Sequence, residues 1–412
     1  MMNDNRIQVC VCQVGARLHY GAARSFERKG ALKTLFTDIC AVKGWPSLLR
    51  SVPRPLRPAP LKRLLGRNPI GIPSGKIEMF PGLGFEYQWR LSKCKSEGER
   101  IRVHLQIAKQ FNERIVASGF KGATHVYTFS SAGLEVLEAA RALGVRAVVE
   151  LPVAASEVHH EILRQEWERY PDWEPFSRGD EERSEFAARE KREWDAAEKI
   201  IVPSKFVADS LKSSGVTSDR YITVPYGVSG FLGRSVHEAH GGPLRILSVG
   251  NVTLRKGPQY TFEASKLLGK NFDFRLVGDC SFSNKVKREL GKQLHMVGVI
   301  PRSEVSEHFQ WADVFLLPSL CEGMATVLIE ALSSGLPVIA TENSGLEIND
   351  GVDGFLVPIR SPSAIAERLN QLASDPVLLA EMSRNAKIRS EEFTLESYSE
   401  RLYRAIAGDH FE

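Results

Sequence analysis

Short apolar runs alternate with amphipathic stretches along the chain. Near the start, "IQVCVCQV" (7–14) is apolar enough for a buried strand; it ends at Gly15, and helical spacing follows across "YGAARSFERKGA". "TLFTDI" predicts a second strand. "GERIRVHLQIAKQFNERIVAS" has helical periodicity, and "THVYTFS", "AGLEVLEAARALG" and "RAVVEL" follow as strand, helix and strand. A polar, Glu- and Arg-rich helical stretch spans about 155–198 and is interrupted at "YPDWEP". "KIIVPS" and "YITVPYGV" are predicted strands flanking the helix "KFVADSLKSSG". "HEAHGGP" (237–243) reads as a linker, after which the rhythm restarts. "RILSVG", "FRLVGD", "HMVGV", "VFLLPS" and "PVIAT" are each followed by a helical pattern. Continuous apolar strands suit parallel sheets covered on both faces. The chain therefore predicts two doubly wound, Rossmann-like α/β domains facing across a cleft, with ligands held at the carboxyl ends of the strands. One segment breaks the pattern: the Pro- and Gly-rich residues 42–85 read as an insertion or a long irregular connection.

Length and composition agree with this picture. A chain of 412 residues exceeds one ordinary core, and 43% hydrophobic with 25% charged residues fits a soluble globular protein. No apolar run approaches the roughly 18 residues of a membrane span, and the start lacks a signal-peptide layout. The six scattered cysteines read as reduced thiols, which points to the cytoplasm.

The net charge of +4 hides an asymmetry. Residues 1–150 hold 24 Lys/Arg against 11 Asp/Glu, a net of +13, while 151–240 carry −5 and 241–412 carry −4. Within the basic part, residues 50–67 ("RSVPRPLRPAPLKRLLGR") contain six cations and no acid. A solvated loop is the plain reading; a surface for anionic lipid or a charged acceptor is the functional one. Nucleic acid fits poorly, because the segment offers no aromatic residue for stacking. Prolines 53, 55, 58 and 60 forbid a regular helix in its first half, while Leu61 to Gly66 allow a helical turn. The segment is expected to hold the chain peripherally at the inner face of the plasma membrane.

The chemistry concentrates in "CEGMATVLIEALSSGLPVIAT", Cys321 to Thr341, where Glu322 and Glu330 stand eight residues apart in a greasy setting. "VFLLPS" is a strand and "ATVLIEALSSG" a helix, stopped by Gly335 and Pro337. Glu322 then sits in the turn. The N–H groups of Gly323, Met324, Ala325 and Thr326 are the open donors of a helix N-terminus, a ready anion site, and Gly323 lets a ligand approach the backbone. Glu330, among apolar neighbours, needs a hydrogen-bond partner. Two carboxylates beside such donors fit a ligand that is anionic in the middle and hydroxyl-rich at both ends, as a nucleoside diphosphate sugar is. Arg255 and Lys256 in "GNVTLRKG" follow the strand "RILSVG". They supply the positive charge that a leaving diphosphate requires. No D-x-D occurs, so neither a metal nor another cofactor is expected. The plain alternative makes Glu322 a solvated turn residue and turns Glu330 outward.

Taken together these pieces resemble the retaining GT-B glycosyltransferases of family 4. That family carries E-x7-E, here Glu322 and Glu330, and "PSKFVADSL", "VPYGV", "GNVTLRKG", "LVGD", "WADVFLLPS" and "GVDGFLVP" occur in the family's order. The likeness is good over about 199–360 and loose before that. It implies that Glu322 contacts a hydroxyl of the donor sugar, that Glu330 binds the ribose hydroxyls, and that the amides after Glu322 hold sugar and phosphate. It further implies that Arg255 and Lys256 bind the diphosphate, that Gly278 and Asp279 shape the nucleotide pocket, and that Val299 and Ile300 form the base-contacting turn. The expected domains are 1–240 on the acceptor side and 241–390 on the nucleotide-sugar side, with 391–412 a helix packing back on the first.

The first domain departs from the family. Only Gly15 and Gly21 stand where a glycine-rich turn is usual, so Gly15 is the candidate contact there. The usual histidine at the end of "RAVVELP" is replaced by Glu150, Leu151 and Pro152, leaving Glu150, His159 and His160 as candidates. The implied reaction is retaining transfer of a hexose-type sugar to a glycan or lipid-linked acceptor, in cell-surface polysaccharide or glycolipid synthesis. The alternatives are a sugar-nucleotide epimerase or a phosphorylase on the same fold, and a non-catalytic partner that binds nucleotide sugar.

Overall fold

Seven parallel strands form the first sheet: β1 Val9–Gln13, β2 Leu32–Thr37, β3 Ile77–Met79, β4 His125–Phe129, β5 Arg146–Glu150, β6 Lys199–Val202 and β7 Tyr221–Thr223. Their order across the sheet is β3-β2-β1-β4-β5-β6-β7. Six more, also parallel, form the second: β8 Leu244–Val249, β9 Phe272–Val277, β10 Leu294–Gly298, β11 Val314–Leu317, β12 Val338–Ala340 and β13 Gly354–Leu356, in the order β10-β9-β8-β11-β12-β13. The computed structural model describes residues 7–53, 56–174, 179–228 and 240–408. Central strands such as β1, β4 and β11 are buried along their whole length, because helices cover both faces and every side chain must be apolar or paired. In each sheet the chain reverses its direction of travel at one point, between β1 and β4 and between β8 and β11. Loops part there and leave a crevice at the carboxyl ends.

The segment 42–85 is not the irregular connection its composition suggests. It contains helices Trp45–Leu48 and Ala59–Gly66, the edge strand β3 and the start of helix Pro81–Lys93. β3 is only three residues long and is held by parallel pairing of Ile77, Glu78 and Met79 with Leu35, Phe36 and Thr37. A strand that short leaves no alternation in the sequence to detect. The same holds for β13, the other edge strand that sequence patterning leaves unassigned. Of the expected linker 237–243, residues 237–239 lie outside the described residues. His240 is fixed to the second domain by a 2.8 Å bond from Nε2 to Asp313.

Two excursions tie the domains together. Helix Leu395–Ala407 returns to the first domain and packs along helix Gly21–Arg28. Ser399 Oγ donates to Ser25 Oγ at 3.0 Å, and Arg28–Glu396 and Lys29–Glu400 pair at the rim. In the other direction, helix Ser156–Arg169 crosses to the second domain. There the fully buried Glu166 accepts bonds from Tyr260 Oη at 2.7 Å, Gln259 Nε2 at 3.0 Å and Arg360 Nε at 2.5 Å. Glu174 Oε1 accepts from the Leu254 N–H at 2.9 Å, one residue before Arg255. Among the described residues no helix is long and apolar enough to cross a membrane. The six cysteines are all free.

Candidate active site

The site lies at the reversal point of the second sheet, where the loops after β8 and β11 meet. The β8 loop ends in a tight turn, Leu254–Lys256, that presents two cations side by side. The β11 loop presents Glu322. One backbone bond and one side-chain bond clasp the two loops: Leu320 N–H donates to Arg255 O at 2.8 Å, and Arg255 Nη1 donates to Cys321 O at 2.8 Å. Arg255 and Lys256 converge on the same carboxylate, at 2.7 Å to Glu322 Oε2 and 2.6 Å to Oε1. Ser319 Oγ adds a 3.3 Å bond to Oε1.

Burial pushes the Glu322 carboxyl up, but the charges of Lys256 and Arg255 outweigh it and hold the group below its usual range. Burial lowers Lys256 against the pull of Glu322. Two cations against one carboxylate leave one positive charge in a largely buried pocket beside a helix N-terminus. Such a site favours an anion over water.

The expected row of open amides is shorter than the sequence suggests. The Ala325 N–H is used, donating to Ser344 O at 3.0 Å, because the turn after β12 folds under the loop. Among the described residues, the N–H groups of Gly323, Met324 and Thr326 have no protein acceptor. Gly323 is needed for a reason other than ligand access. A Cβ there would lie 1.7 Å from the carbonyl oxygen of Pro152, so the other domain's backbone occupies the close approach. Gly323 O also accepts from Ser204 Oγ at 2.5 Å, and Met324 Sδ accepts the Tyr226 N–H at 3.1 Å. The loop that carries Glu322 is thus an interdomain seam.

Glu330 lies on helix Thr326–Ser333, and burial raises its pKa. Its partner is Arg302 Nη2 at 3.1 Å, a residue that sequence reasoning missed. Arg302 opens the helix after β10, directly beyond the exposed Val299 and half-buried Ile300, so the structure brings these three and Glu330 to one side of the cleft. Its only sequence signal is its place two residues after Ile300. At the end of β9, Gly278 has φ +143° and approaches Gly250 so closely that a Cβ would sit 2.0 Å from its carbonyl oxygen. Asp279 is exposed, and its carbonyl accepts the Val252 N–H at 2.7 Å.

On the first domain, Gly15 donates its N–H to Asp38 Oδ1 at 2.9 Å, and the fully buried Asp38 pairs through Oδ2 with Arg67 at 2.7 Å. Beyond Gly15, the consecutive residues Leu18, His19 and Tyr20 have φ of 46°, 50° and 62°. Left-handed backbone costs roughly 1–2 kcal/mol per non-glycine residue, and such strain gathers at functional turns. This strained turn stands where the sequence offers no glycine-rich turn; burial lowers the His19 pKa first, and the charge of Arg302 next. Asp38→Ala would leave both the Gly15 N–H and Arg67 without their acceptor. It should destabilise the chain by about 2 kcal/mol or more; an unchanged urea midpoint would remove Asp38 as the anchor of this turn.

Glu150 is a correction. It is fully buried, accepts from Tyr226 Oη at 2.6 Å and from Tyr127 Oη, and burial raises its pKa. With both oxygens taken inside the first domain it cannot meet a cleft ligand; it anchors Tyr226, whose N–H touches Met324. His159 is better placed. Burial lowers its pKa to about 4, with Arg255 next and Glu322 opposing, so it is neutral near pH 7 and lies within reach of the charges of the cluster. It also lines a cavity of about 490 Å³ with His160, Trp167 and Phe186.

This geometry can be set beside known proteins. Residues 233–389 match the family described as "Glycosyl transferases group 1". That match lies over the second domain. The matched residues include Arg255, Lys256, Glu322 and Glu330. Among relatives, the chain is 35% identical over 170 residues to "Amylovoran biosynthesis glycosyltransferase AmsK" of Erwinia amylovora, covering 36% of this chain and 41% of that protein. It is 32% identical over 152 residues to "UDP-Gal:alpha-D-GlcNAc-diphosphoundecaprenol alpha-1,3-galactosyltransferase" of Escherichia coli, covering 34% and 38%. These matches span less than half the length of either relative. The fold likeness runs through the whole chain: sucrose-phosphate synthase from Thermosynechococcus elongatus superposes with a TM-score of 0.68 at 16% identity, covering 98% of this chain and 99% of that one. The architecture is GT-B, two doubly wound domains across a cleft.

Proposed function

We propose that the chain is a retaining glycosyltransferase that moves a hexose-type sugar from a nucleoside diphosphate sugar to a glycan or lipid-linked acceptor, without a metal. The observation that carries this reading is the convergence of Arg255 and Lys256 on Glu322 beside the unpartnered amides of Gly323, Met324 and Thr326. As the bond to the sugar breaks, charge grows on the leaving diphosphate. A guanidinium and an ammonium already fixed in a largely buried pocket stabilise that charge with little reorganisation. Bound diphosphate draws the cations from Glu322, which frees its carboxylate to accept a sugar hydroxyl. The acceptor hydroxyl enters beside the departing diphosphate, which takes its proton. The chain's task is positioning and charge stabilisation, and no protein nucleophile is required.

The Escherichia coli relative takes its name from a UDP-sugar donor and a diphosphoundecaprenol-linked acceptor, and AmsK takes its name from amylovoran biosynthesis. The first name supports a nucleoside diphosphate sugar donor and a lipid-linked acceptor for this chain, and the second supports a biosynthetic glycosyl transfer. The primary test is transfer from UDP-, GDP- and ADP-sugars, with the anomeric configuration of the product read by NMR and turnover repeated in chelator. A product of inverted configuration, or loss of turnover in chelator, overturns the corresponding part of the proposal. Thermal shifts identify the base first, since a ligand at 100 times its Kd stabilises the fold by about 2.7 kcal/mol.

Calorimetry assigns the two carboxylates. Glu330→Gln should weaken free nucleoside diphosphate and whole donor alike. Glu322→Gln should weaken the donor and spare the free nucleotide. The inverted pattern would mean that the two roles are exchanged.

A second reading is a non-catalytic nucleotide-sugar-binding partner, favoured by the burial of Glu150 where the family has its histidine. Slow donor hydrolysis present in the wild type and absent in Glu322→Ala argues against it. Isomerisation of the nucleotide sugar without acceptor would instead indicate an epimerase, and orthophosphate-dependent cleavage of a glycan a phosphorylase.

A further inference from the structure

The described residues include fourteen exposed large apolar side chains, and six of them fall between residues 45 and 89: Trp45, Leu48, Leu56, Ile70, Phe85 and Trp89. These six include all three exposed aromatics, at 49% for Trp45, 65% for Phe85 and 58% for Trp89. Exposed apolar groups scattered singly need no explanation, but a group of aromatics on one lobe does.

Phe85 and Trp89 are four apart on helix Pro81–Lys93 and share a face, while Leu83 and Gly84 on the other side are buried against the domain. Trp45 and Leu48 are three apart on the short helix Trp45–Leu48. That helix abuts the end of β3. Lys43 Nζ donates to Ile77 O at 2.8 Å, and a Cβ on Gly44 would lie 3.1 Å from Met79 Cε, two residues before Pro81 begins the next helix.

The charge of this lobe is one-sided. Between Asp38 and Glu78 the sequence has eight Lys/Arg and no carboxylate. Arg50, Lys62 and Arg63 are exposed, and among the described residues none pairs with an acid. Elsewhere exposed cations are commonly neutralised, as Arg164 is by Glu161 at 2.8 Å. Aromatics with unpaired lysine and arginine suit the headgroup layer of an anionic bilayer.

The lobe also lies at the carboxyl ends of β2 and β3, the cleft end of the sheet. Arg67 closes it onto Asp38, the residue that holds the turn at Gly15.

We infer that the lobe formed by residues 43–53 and 56–93 is a membrane-insertion surface. Trp45, Phe85 and Trp89 enter the interfacial layer of an anionic bilayer, Arg50, Lys62 and Arg63 meet its headgroups, and the acceptor side of the cleft faces the lipid. The attachment therefore has two parts. The cations supply a salt-sensitive part, about five-fold in partitioning for each one near an anionic surface. The aromatics supply a part that salt does not screen. The inference concerns attachment and holds whether or not the proposed transfer chemistry is correct.

The test is flotation of the full chain with phosphatidylcholine vesicles, with and without phosphatidylglycerol, at low and high salt. The wild type should float with anionic vesicles at low salt and in part at high salt. Trp45→Ser, Phe85→Ser and Trp89→Ser combined should abolish the fraction that survives high salt. Arg50→Gln, Lys62→Gln and Arg63→Gln combined should lose at least ten-fold at low salt. All six positions are exposed, and unchanged thermal unfolding of both variants checks that they fold. Emission from Trp45 and Trp89 should shift to the blue and be quenched by brominated lipid. Wild-type protein that stays at the bottom of every gradient overturns the inference, as does an aromatic variant that floats like the wild type at high salt. Transfer to a water-soluble acceptor should be equal in wild type and both variants, so failure of attachment and failure of the transferase reading give different results.

Discussion

A variant carrying Arg255→Ala and Lys256→Ala should transfer sugar at least about 100-fold more slowly than the wild type, the scale of losing one preorganised transition-state donor. The two cations are the only side chains among the described residues that bond to both Glu322 oxygens as ion pairs, and they share the pocket with the open amides. Their loss acts twice. It removes the charge that meets the departing diphosphate, and it strands a buried carboxylate, which can cost about 3–5 kcal/mol of stability. The second effect must be separated from the first. A triple variant that adds Glu322→Gln removes the stranded charge and should recover much of the unfolding midpoint, yet stay inactive. Near-normal turnover in the folded double variant would sink the diphosphate role.

The same cluster sets a pH signature. The cations depress the Glu322 pKa against its burial, so the stability it contributes is present above the unfolded carboxyl value of about 4.3 and is lost as pH falls through the lower folded value. The double variant should lack that acid-side loss.

The second large effect is steric. Gly323→Ala places a methyl group 1.7 Å from the Pro152 carbonyl oxygen, and the obstacle is backbone, which cannot rotate away. The seam must part, at a cost toward or beyond the upper end of the roughly 1–3 kcal/mol usual for overpacking. Glu322 would shift with it, and turnover should fall in parallel with the thermal midpoint. Gly15→Ala is the contrast. Its φ is +78°, but nothing lies within 4 Å of the added Cβ, so only left-handed strain of about 1–2 kcal/mol opposes it. Equal midpoints for the two variants would show that Pro152 does not press on Gly323 in solution.

Among site residues, those close together in sequence were the legible ones. Glu322 and Glu330 could be placed at the two ends of one strand–turn–helix unit because the apolar run between them, with Gly335 and Pro337 behind it, leaves the backbone few alternatives. Arg255 and Lys256 were legible as a pair after a strand. The group 1 match over 233–389 covers this same part of the chain. Glu150 misled, because a carboxylate at a strand's end looks the same in sequence whether its next neighbours are water or two tyrosine hydroxyls from β4 and the segment after β7. Arg302 and Asp38 went unnoticed because each works through a partner far away in sequence: Glu330 in one case, Gly15 and Arg67 in the other.

The sequence by itself determined the two doubly wound domains, since fully buried parallel strands demand unbroken apolar runs and those runs survive in a linear reading. It also determined which strand–turn–helix unit carries the carboxylates and which loop carries the cations. Only the tertiary structure decided that the two loops share one ion cluster, that Gly323 accommodates the opposite domain, that residues 18–20 bend left-handed without a glycine, and that the aromatics of 45–89 are left outside. Those outcomes depend on which chain segment fills the space beside a residue, a quantity set by packing between elements far apart in the chain and not encoded in any local pattern of residue types.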